Sequence, residues 1–309
     1  MPRPALAVYD DQRQGIIDFM SGFSLETTPG SAAKIVDFRE HVRSGTSIYI
    51  TFIAGSDFND VIAVAKRLRK EGFNPVPHCC ARSIPNRDFL EESLKSLHEE
   101  AGVSQILLIG GAVPHPVGEF SDSMQLIETG LLDKYGVTKI GFAGHPEGSP
   151  DIPELAIKEA LRWKNELARR TDAEIYLVTQ FCFEAEPIIK WDKIIQAQGN
   201  RLPIHIGIPG LATVKTLLGY AKACGIGPSA RFITRQAMNV AKLLTVSAPD
   251  RLVTALASYQ ANDPSCGIKA AHVFPLGGLK KSAVWSYAVA EGRFQISPDG
   301  KGLAVDAST

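Results

Sequence analysis

The regular alternation of short apolar runs with amphipathic stretches constrains the fold of this chain more than any other feature. Four strand-like runs occupy its first part: GFSLE (22–26), SIYITFI (47–53), NPVPHCC (74–80) and SQILLIGG (104–111). Four more follow: KIGFAGH (139–145), EIYLVTQFCF (174–183), PIHIGIPG (203–210) and AAHVFPLGG (270–278). The stretches between them carry apolar residues every three or four positions, which indicates helices.

Eight strand–helix units favour an α/β fold of the (βα)8, or TIM-barrel, type over an open doubly wound sheet. The nearly continuous apolar strands also fit a parallel sheet covered by helices. The helix VKTLLGYAKACG is expected to end at Gly225. After it, RFITRQAMNVAKLL and APDRLVTALASYQ predict two extra helices between strand 7 and strand 8. We expect one barrel domain over residues 1–309, with a core at about 20–292, a short N-terminal helix before it and a loose tail after about residue 296.

Composition and charge narrow the classes of partner. Lys plus Arg and Asp plus Glu each number 33, without a long run of either sign, which argues against nucleic acid or an anionic membrane as the main partner. No apolar stretch approaches the roughly 20 residues that span a bilayer, and the first residues lack the apolar segment of a signal peptide. Five irregularly spaced cysteines favour reduced thiols in a cytoplasm. No CxxC motif or second ligand cluster accompanies Cys79 and Cys80, so we expect no metal site.

Polar or glycine residues recur where the predicted strands end. In (βα)8 barrels the active site lies at the C-terminal ends of the strands. Those ends hold Glu26, Thr51, His78, Gly110, Gly111, His145, Gln180 and the turn at 208–210. Each of these residues taken singly fits an ordinary role at the start of a loop equally well. Together they predict a pocket for a polar ligand.

Acid catalysis is the chemistry that these residues favour most. No G-x-S-x-G motif is present, and LIGGAVPHPVG lacks both G-x-G-x-x-G and the Lys-Ser/Thr of a phosphate-binding loop. Its glycines would still let backbone N–H groups approach a cofactor closely. A carboxyl group in an apolar cavity is held in its neutral form by desolvation and can then donate a proton. Glu26 is therefore a candidate general acid, and a structural or solvated carboxylate is the alternative.

Six motifs, in order along roughly residues 20 to 292, resemble those of the methylenetetrahydrofolate reductase family. FSLETTP is similar to the family's F-S-F-E-x-x-P, VPHCCAR to P-H-L-T-C, and GHPEGSPD to Y-P-E-x-H-P-E. VTQFCFE is similar to I-T-Q-x-x-F-D, GIPGLATVKTLLGYA to the G-I-x-P segment with its helix, and AAHVFPLGG to I-H-F-Y-T-L-N-R. The chain resembles a short member of the family that consists of the catalytic domain.

The resemblance implies a barrel that holds FAD and uses NADH or NADPH to reduce 5,10-methylenetetrahydrofolate to 5-methyltetrahydrofolate. Glu26 matches the family's general acid, which protonates N10 of the folate, and Gln180 matches the amide that contacts pterin and nicotinamide. The matching positions for the cofactor are Thr51, His78, Ile109, Gly110, Gly111, Ala112, Ala143, His145 and Lys164. Those for the substrate are Gln180, Phe183, Val214 and Leu276. The protein is also expected to be able to form a homo-oligomer.

Several charged residues of the family pattern are replaced. The family's L-R-G-D reads Ile109–Ala112 here, so its arginine and aspartate are missing. His145 stands for a tyrosine, Val214 for a substrate-clamping aromatic residue, and Leu276 begins a segment that lacks the final arginine. Loss of a charge-assisted contact costs about 1.5–3 kcal/mol. Two alternatives stay open for this reason: direct hydride transfer from NAD(P)H without flavin, and a folate-binding or methyl-transfer partner protein with little reductase activity.

Overall fold

Eight parallel strands close into a barrel in a computed structural model that describes residues 5–223 and 243–305. Neighbouring strands follow the order β1-β10-β7-β6-β5-β4-β3-β2. The barrel strands are β1 Ser24–Thr27, β2 Ser47–Ile50, β3 Asn74–Cys80, β4 Gln105–Ile109, β5 Lys139–Gly144, β6 Glu174–Phe181, β7 Ile204–Pro209 and β10 Ile268–Phe274. Each overlaps one of the eight predicted runs, so the predicted α/β barrel is confirmed.

Most of the helices lie between these strands, as the apolar periodicity predicts, while the first precedes β1 and the last follows β10. Their bounds are Ala5–Met20, Pro29–Ala32, Phe58–Lys70, Arg87–Ala101, Ser123–Glu128, Leu131–Lys134, Glu154–Leu167, Ala185–Ala197, Val214–Ala223, Asp250–Asn262 and Leu279–Ala290, with 3-10 turns at Phe38–Glu40 and Ala81–Ser83. Local sequence sets several of their ends. Asp57 and Asn86 accept backbone N–H groups at two helix starts, and Gly102 ends the second of those helices with a positive φ.

The connection between β7 and β10, the seventh and eighth strands of the barrel along the chain, contains one of the two predicted extra helices among the described residues. APDRLVTALASYQ corresponds to the helix Asp250–Asn262. The other predicted helix, RFITRQAMNVAKLL, and the proposed cap Gly225 fall mainly on residues 224–242, outside the described residues. A short antiparallel pair, β8 Ala212–Thr213 with β9 Val246–Ser247, brackets that segment.

The prediction of a loose tail after about residue 296 is wrong for residues 303–305. β11 Phe294–Ile296 pairs with β12 Leu303–Val305 in an antiparallel hairpin. The N-terminal helix holds this hairpin, because Gln12 Nε2 donates to the Gly300 carbonyl at 2.6 Å and Arg13 Nη1 to the Phe294 carbonyl at 2.8 Å. The Arg13 guanidinium also lies 4.9 Å from the centre of the Phe294 ring. The polar and glycine-rich composition of this segment predicted a flexible tail, whereas contacts with residues far away in the sequence hold it in place.

The chain divides into two compact units. One unit comprises Ser24–Ala143 with Glu166–Val178, and the other comprises Met1–Phe23, Gly144–Asn165 and Thr179–Thr309. We call them the β1–β4 unit and the β7–β10 unit, after barrel strands that lie wholly within each. The prediction of a single domain over residues 1–309 stays a prediction.

Candidate active site

Glu26, which is half-buried, and His78, which is buried, form a close pair in the β1–β4 unit. Glu26 lies in β1 and His78 in β3, and Oε2 of the glutamate is 3.6 Å from Nε2 of the histidine. The two side chains are only 13% and 6% exposed. A carboxyl group at this depth is costly to keep charged without a partner, and an imidazole can supply the opposite charge when it is protonated. The structure therefore brings the predicted acid and one predicted cofactor residue into direct electrostatic contact.

A layer of hydrogen-bonded tyrosines lies beside this pair. Tyr49 is the register partner of Glu26 on β2, and its ring meets the His78 ring edge-on with centroids 6.1 Å apart. The Tyr49 and Tyr176 hydroxyls are 2.7 Å apart, and Gln105 Nε2 donates to the Tyr176 hydroxyl at 2.9 Å. Burial raises the pKa of Tyr49 well above its ordinary value, and it raises the pKa of Tyr176 to about 12. Both hydroxyls therefore stay protonated near neutral pH.

Gly141 makes room for this layer. A Cβ atom built at Gly141 would lie 2.7 Å from Tyr176 Cζ and 2.8 Å from its hydroxyl oxygen. Such a contact is too short for any side chain, so a glycine is required beside the tyrosine. Gly141 lies on β5, two residues before the predicted cofactor residue Ala143, which is half-buried.

The glycines that were predicted to let the backbone approach a cofactor lie in the loop after β4. Ile109, Gly110 and Gly111 are half-buried and Ala112 is exposed. Gly111 has φ +94°, and a Cβ there would lie 3.2 Å from Cys80 Cβ. Arg82, which the sequence reasoning did not select, anchors this loop: its backbone N–H donates to the Gly110 carbonyl at 2.9 Å, and its Nε donates to the Ser121 carbonyl at 3.0 Å.

Thr51 carries a buried hydroxyl with no hydrogen-bond partner among the described residues. Its backbone N–H donates to the Thr27 carbonyl at 2.9 Å, which fixes the residue just beyond β2. Buried polar groups normally have a partner, so an orphaned hydroxyl at a strand end suits a polar atom of a bound ligand. Thr51 is one of the predicted cofactor residues.

In the β7–β10 unit, His145 and Lys164 interact electrostatically. Lys164 lies on the helix Glu154–Leu167 and is 6% exposed, and burial lowers the pKa of its amine to about 8. Burial, and then the charge of Lys164, lower the pKa of His145 to about 4. His145 is therefore neutral at physiological pH, and the amine of Lys164 is charged but close to its titration midpoint. Two predicted cofactor residues are thus coupled in the structure.

The predicted substrate residues of the same unit divide into an exposed amide and an apolar cluster. Gln180 is exposed, near the end of β6, and its Oε1 accepts the Phe181 backbone N–H at 3.1 Å. Phe183, Val214 and Leu276 pack in one cluster with Ala212 and Leu217. Val214 is only 4% exposed there. The three residues come together although they follow three different strands.

Tyr49, Tyr176 and Gln105 were not predicted from the sequence, although it carries a signal for the two tyrosines. Successive side chains of a strand point to opposite faces. Tyr49 precedes Thr51 by two residues, and Tyr176 precedes Gln180 by four, so each shares the face of a predicted site residue. Following that parity back along each strand would have selected both tyrosines.

Within residues 5–223 and 243–305, no three His, Cys, Asp or Glu side chains are grouped closely enough to hold a metal ion. Within the same ranges, every helix is too short or too polar to cross a membrane.

Solved structures of other proteins share the barrel fold at low sequence identity. A Clostridium thermocellum protein described as binding two copies of 5-methyl-5,6,7,8-tetrahydrofolic acid matches with a TM-score of 0.51 and 13% identity, over 90% of this chain and 97% of that chain. A chitinase from Rhizomucor miehei matches with a TM-score of 0.50 and 10% identity, over 88% of this chain and 100% of that chain. Identities this low indicate a shared fold alone.

Sequence comparison gives the family. Methylenetetrahydrofolate reductase 2 of Saccharomyces cerevisiae is 27% identical over 172 residues, which are 53% of this chain and 27% of the yeast protein. The chain thus matches about a quarter of the length of that relative. The family described as methylenetetrahydrofolate reductase matches residues 32–237, two thirds of the chain, although Glu26 and Leu276 lie outside that range. The chain belongs to the methylenetetrahydrofolate reductase family.

Proposed function

We propose that this protein reduces 5,10-methylenetetrahydrofolate to 5-methyltetrahydrofolate with NADH or NADPH, and that Glu26 is the general acid. The observation that carries the proposal is the carboxyl group of Glu26, only 13% exposed and 3.6 Å from His78 Nε2, on a strand of a barrel whose sequence belongs to this family. Family membership supports the folate as substrate, and the chemistry of that folate requires an acid.

The proposed role of Glu26 follows from the weak basicity of N10. N10 is an aryl amine, so the five-membered ring opens only when a proton reaches that nitrogen. Glu26 donates the proton from Oε2, the bond between N10 and the methylene carbon breaks, and an iminium at N5 remains. A hydride added to the methylene carbon then completes the methyl group. One hydride and one proton are consumed, and NAD(P)⁺ leaves. General acid catalysis of this kind contributes about 10²–10⁴-fold to a rate.

Several residues fit a bound flavin. Thr51 offers a buried hydroxyl that lacks a partner among the described residues, and Gly111 has a conformation that lets the backbone approach a ligand. Lys164 offers a cation near His145. FAD, when bound, supplies a redox centre that takes the hydride from NAD(P)H and passes it to the folate. We propose that Thr51, His78, Ile109–Ala112, Ala143, His145 and Lys164 hold it, and that Gln180, Phe183, Val214 and Leu276 bind the folate.

A second candidate keeps the reaction and omits the flavin. The segment Ile109–Ala112 carries neither arginine nor aspartate, and the guanidinium beside Gly110, that of Arg82, already donates to loop carbonyls. In that case the hydride passes directly from NAD(P)H to the iminium, and Glu26 remains the acid. An absorption spectrum of the purified protein, taken before and after incubation with FAD and desalting, separates the two routes. Retained flavin absorbance supports the first, and NAD(P)H-dependent turnover without it supports the second.

Substitution of the acid tests both routes together. Glu26→Gln keeps the size and polarity of the side chain but cannot donate the proton, so we expect kcat to fall by about 10²–10⁴-fold while folate binding is kept. Glu159→Gln, on an exposed helical position, is the matched control and should leave kcat unchanged. Wild-type protein that binds folate but does not oxidise NAD(P)H would refute the reductase proposal and favour a folate-binding partner. Full activity in Glu26→Gln would refute the role of the acid.

A further inference from the structure

We propose that Glu26 and His78 act as one proton-holding pair, in which His78 Nε2 keeps the catalytic proton until it passes through Glu26 Oε2 to the folate. This inference deepens the proposed function and rests on it. His78 acts through Glu26, so it is a positioning residue in this scheme, whatever contact it also makes with a cofactor.

Proximity and burial support the coupling of the two groups. Nε2 and Oε2 are 3.6 Å apart, which is too far for a direct hydrogen bond but close enough for each charge to act on the other, and the two side chains are 6% and 13% exposed. A carboxylate beside a neutral imidazole and an imidazolium beside a neutral acid both give the pair a net charge at this depth, which burial disfavours. Two arrangements leave the pair with no net charge: the neutral acid with the neutral imidazole, and the carboxylate with the imidazolium. Both contain a single proton, so the pair takes up and loses that proton as a unit.

The surrounding residues of the β1–β4 unit hold the imidazole in place without competing for the proton. The Tyr49 ring packs edge-on against His78, and its hydroxyl is tied to Tyr176, which accepts from Gln105. Beyond Tyr176 lies Lys139, whose Nζ is 5.3 Å from the ring centre and 2.7 Å from Glu174 Oε1. The pKa values of both tyrosines are raised above their ordinary range, mainly by burial. Tyr49 and Tyr176 therefore keep their protons near neutral pH and do not compete with the pair for its proton.

The proton balance of a turnover closes through this pair. When Glu26 gives its proton to N10, a carboxylate remains at Oε2 and the imidazole is neutral. The pair then takes one proton from solvent, either on Nε2 or on Oε2, and the transfer between these atoms restores the acid. This is the one proton that the reduction consumes, so no further donor is needed.

The pH dependence of kcat/KM is the first test. A histidine holds a proton to higher pH than a glutamate does, so in the wild type the activity should fall only at the pH where the pair loses its single proton. In His78→Gln that proton is held by Glu26 alone, and the fall should move to lower pH. Between the two midpoints the ratio of wild-type to variant activity should grow about tenfold for each pH unit. Loss of cofactor binding or of packing would instead lower the activity equally at every pH.

The matched control is His98→Gln, the same change at an exposed position on the helix Arg87–Ala101, and it should leave the profile unchanged. His78→Asn is a second variant in case the longer amide disturbs folding. An unshifted high-pH limb in a folded His78 variant would overturn the inference.

A second readout does not depend on turnover. In protein with isotopically labelled histidine, NMR titration should show His78 losing its proton at lower pH in Glu26→Gln than in the wild type, because the neutral amide no longer favours the imidazolium. An unchanged His78 titration would overturn the pair. If the wild type instead fails to reduce methylenetetrahydrofolate, the proposed function fails, and the NMR titration still decides whether the pair exists.

Discussion

Removing the carboxylate of Asp192 should strongly destabilise the β7–β10 unit. Asp192 lies in the helix Ala185–Ala197 and is 0% exposed. Its Oδ2 accepts the Tyr259 hydroxyl at 2.8 Å and the Gly267 backbone N–H at 3.1 Å, and its Oδ1 accepts Gln196 Nε2 at 2.9 Å. One side chain thus ties three segments together: its own helix, the helix Asp250–Asn262 and the residue just before β10.

The expected cost follows from the donors that Asp192→Ala would leave without an acceptor. A buried donor that loses its acceptor costs about 1–3 kcal/mol. Tyr259 is buried, and the N–H group of the half-buried Gly267 is fixed in direction by the backbone. Gln196 is also half-buried, but its side chain can turn to water. Counting the first two donors gives a loss of about 2–6 kcal/mol in the free energy of unfolding. At about 2 °C for each kcal/mol in a chain of this size, the thermal midpoint should fall by about 4–12 °C.

Asp192→Asn is the matched control. Its amide oxygen can keep the Tyr259 and Gly267 bonds, and its NH2 group can donate to Gln196 after the side-chain amide of Gln196 turns over. We expect this variant to lose less than about 1 kcal/mol, since every donor keeps an acceptor. Calorimetry and urea unfolding of the two variants and the wild type measure the difference. An alanine variant within about 1 kcal/mol of the wild type, or an asparagine variant as unstable as the alanine variant, would refute this account.

Three further predictions concern the candidate site. Thr51→Val removes a buried hydroxyl that lacks a partner among the described residues, so the thermal midpoint should stay equal or rise while flavin affinity, measured by titration, falls up to about tenfold; a lower midpoint would contradict this. Gly111→Ala should cost about 1–2 kcal/mol because φ is +94° there. The control is Gly148→Ala, at φ +75°, and it should cost less. A Cβ atom at position 111 would lie 3.2 Å from Cys80, whereas one at position 148 would have no neighbour within 4 Å. Equal losses of stability in urea unfolding would show that the contact with Cys80 is harmless. Lys164→Met should stabilise the protein by up to about 3 kcal/mol at pH 7, because burial lowers the amine pKa from 10.5 to about 8 and the charged form is penalised in the folded state. The wild type should regain stability between about pH 8 and 10.5, because the unfolded chain still binds the proton of Lys164 there and the folded chain does not. A variant that is still more stable than the wild type at pH 10.5 would refute the prediction.

The sequence offers candidate site residues but not the contacts among them, and their membership in one site stays a prediction. Glu26, Thr51, His78 and Gln180 stand out in the sequence because polar residues end apolar strands, and parallel strands of a barrel present those ends together. Their roles came from the family resemblance, since a carboxylate at a strand end has no specific chemistry in itself. Tyr49 was not predicted because a tyrosine inside an apolar strand is typical of an ordinary core residue.

The eight barrel strands and most helices could be predicted from the sequence, because hydrophobic period and helix caps are local properties. The contact between Glu26 and His78, the hydrogen bond between Tyr49 and Tyr176 across 127 positions, and the anchoring of the loop after β4 by Arg82 arise from the tertiary structure. It also ordered residues 303–305, which composition alone marked as loose. Such contacts depend on the register of strands and on the barrel closing, which bring distant residues together and which no local pattern encodes.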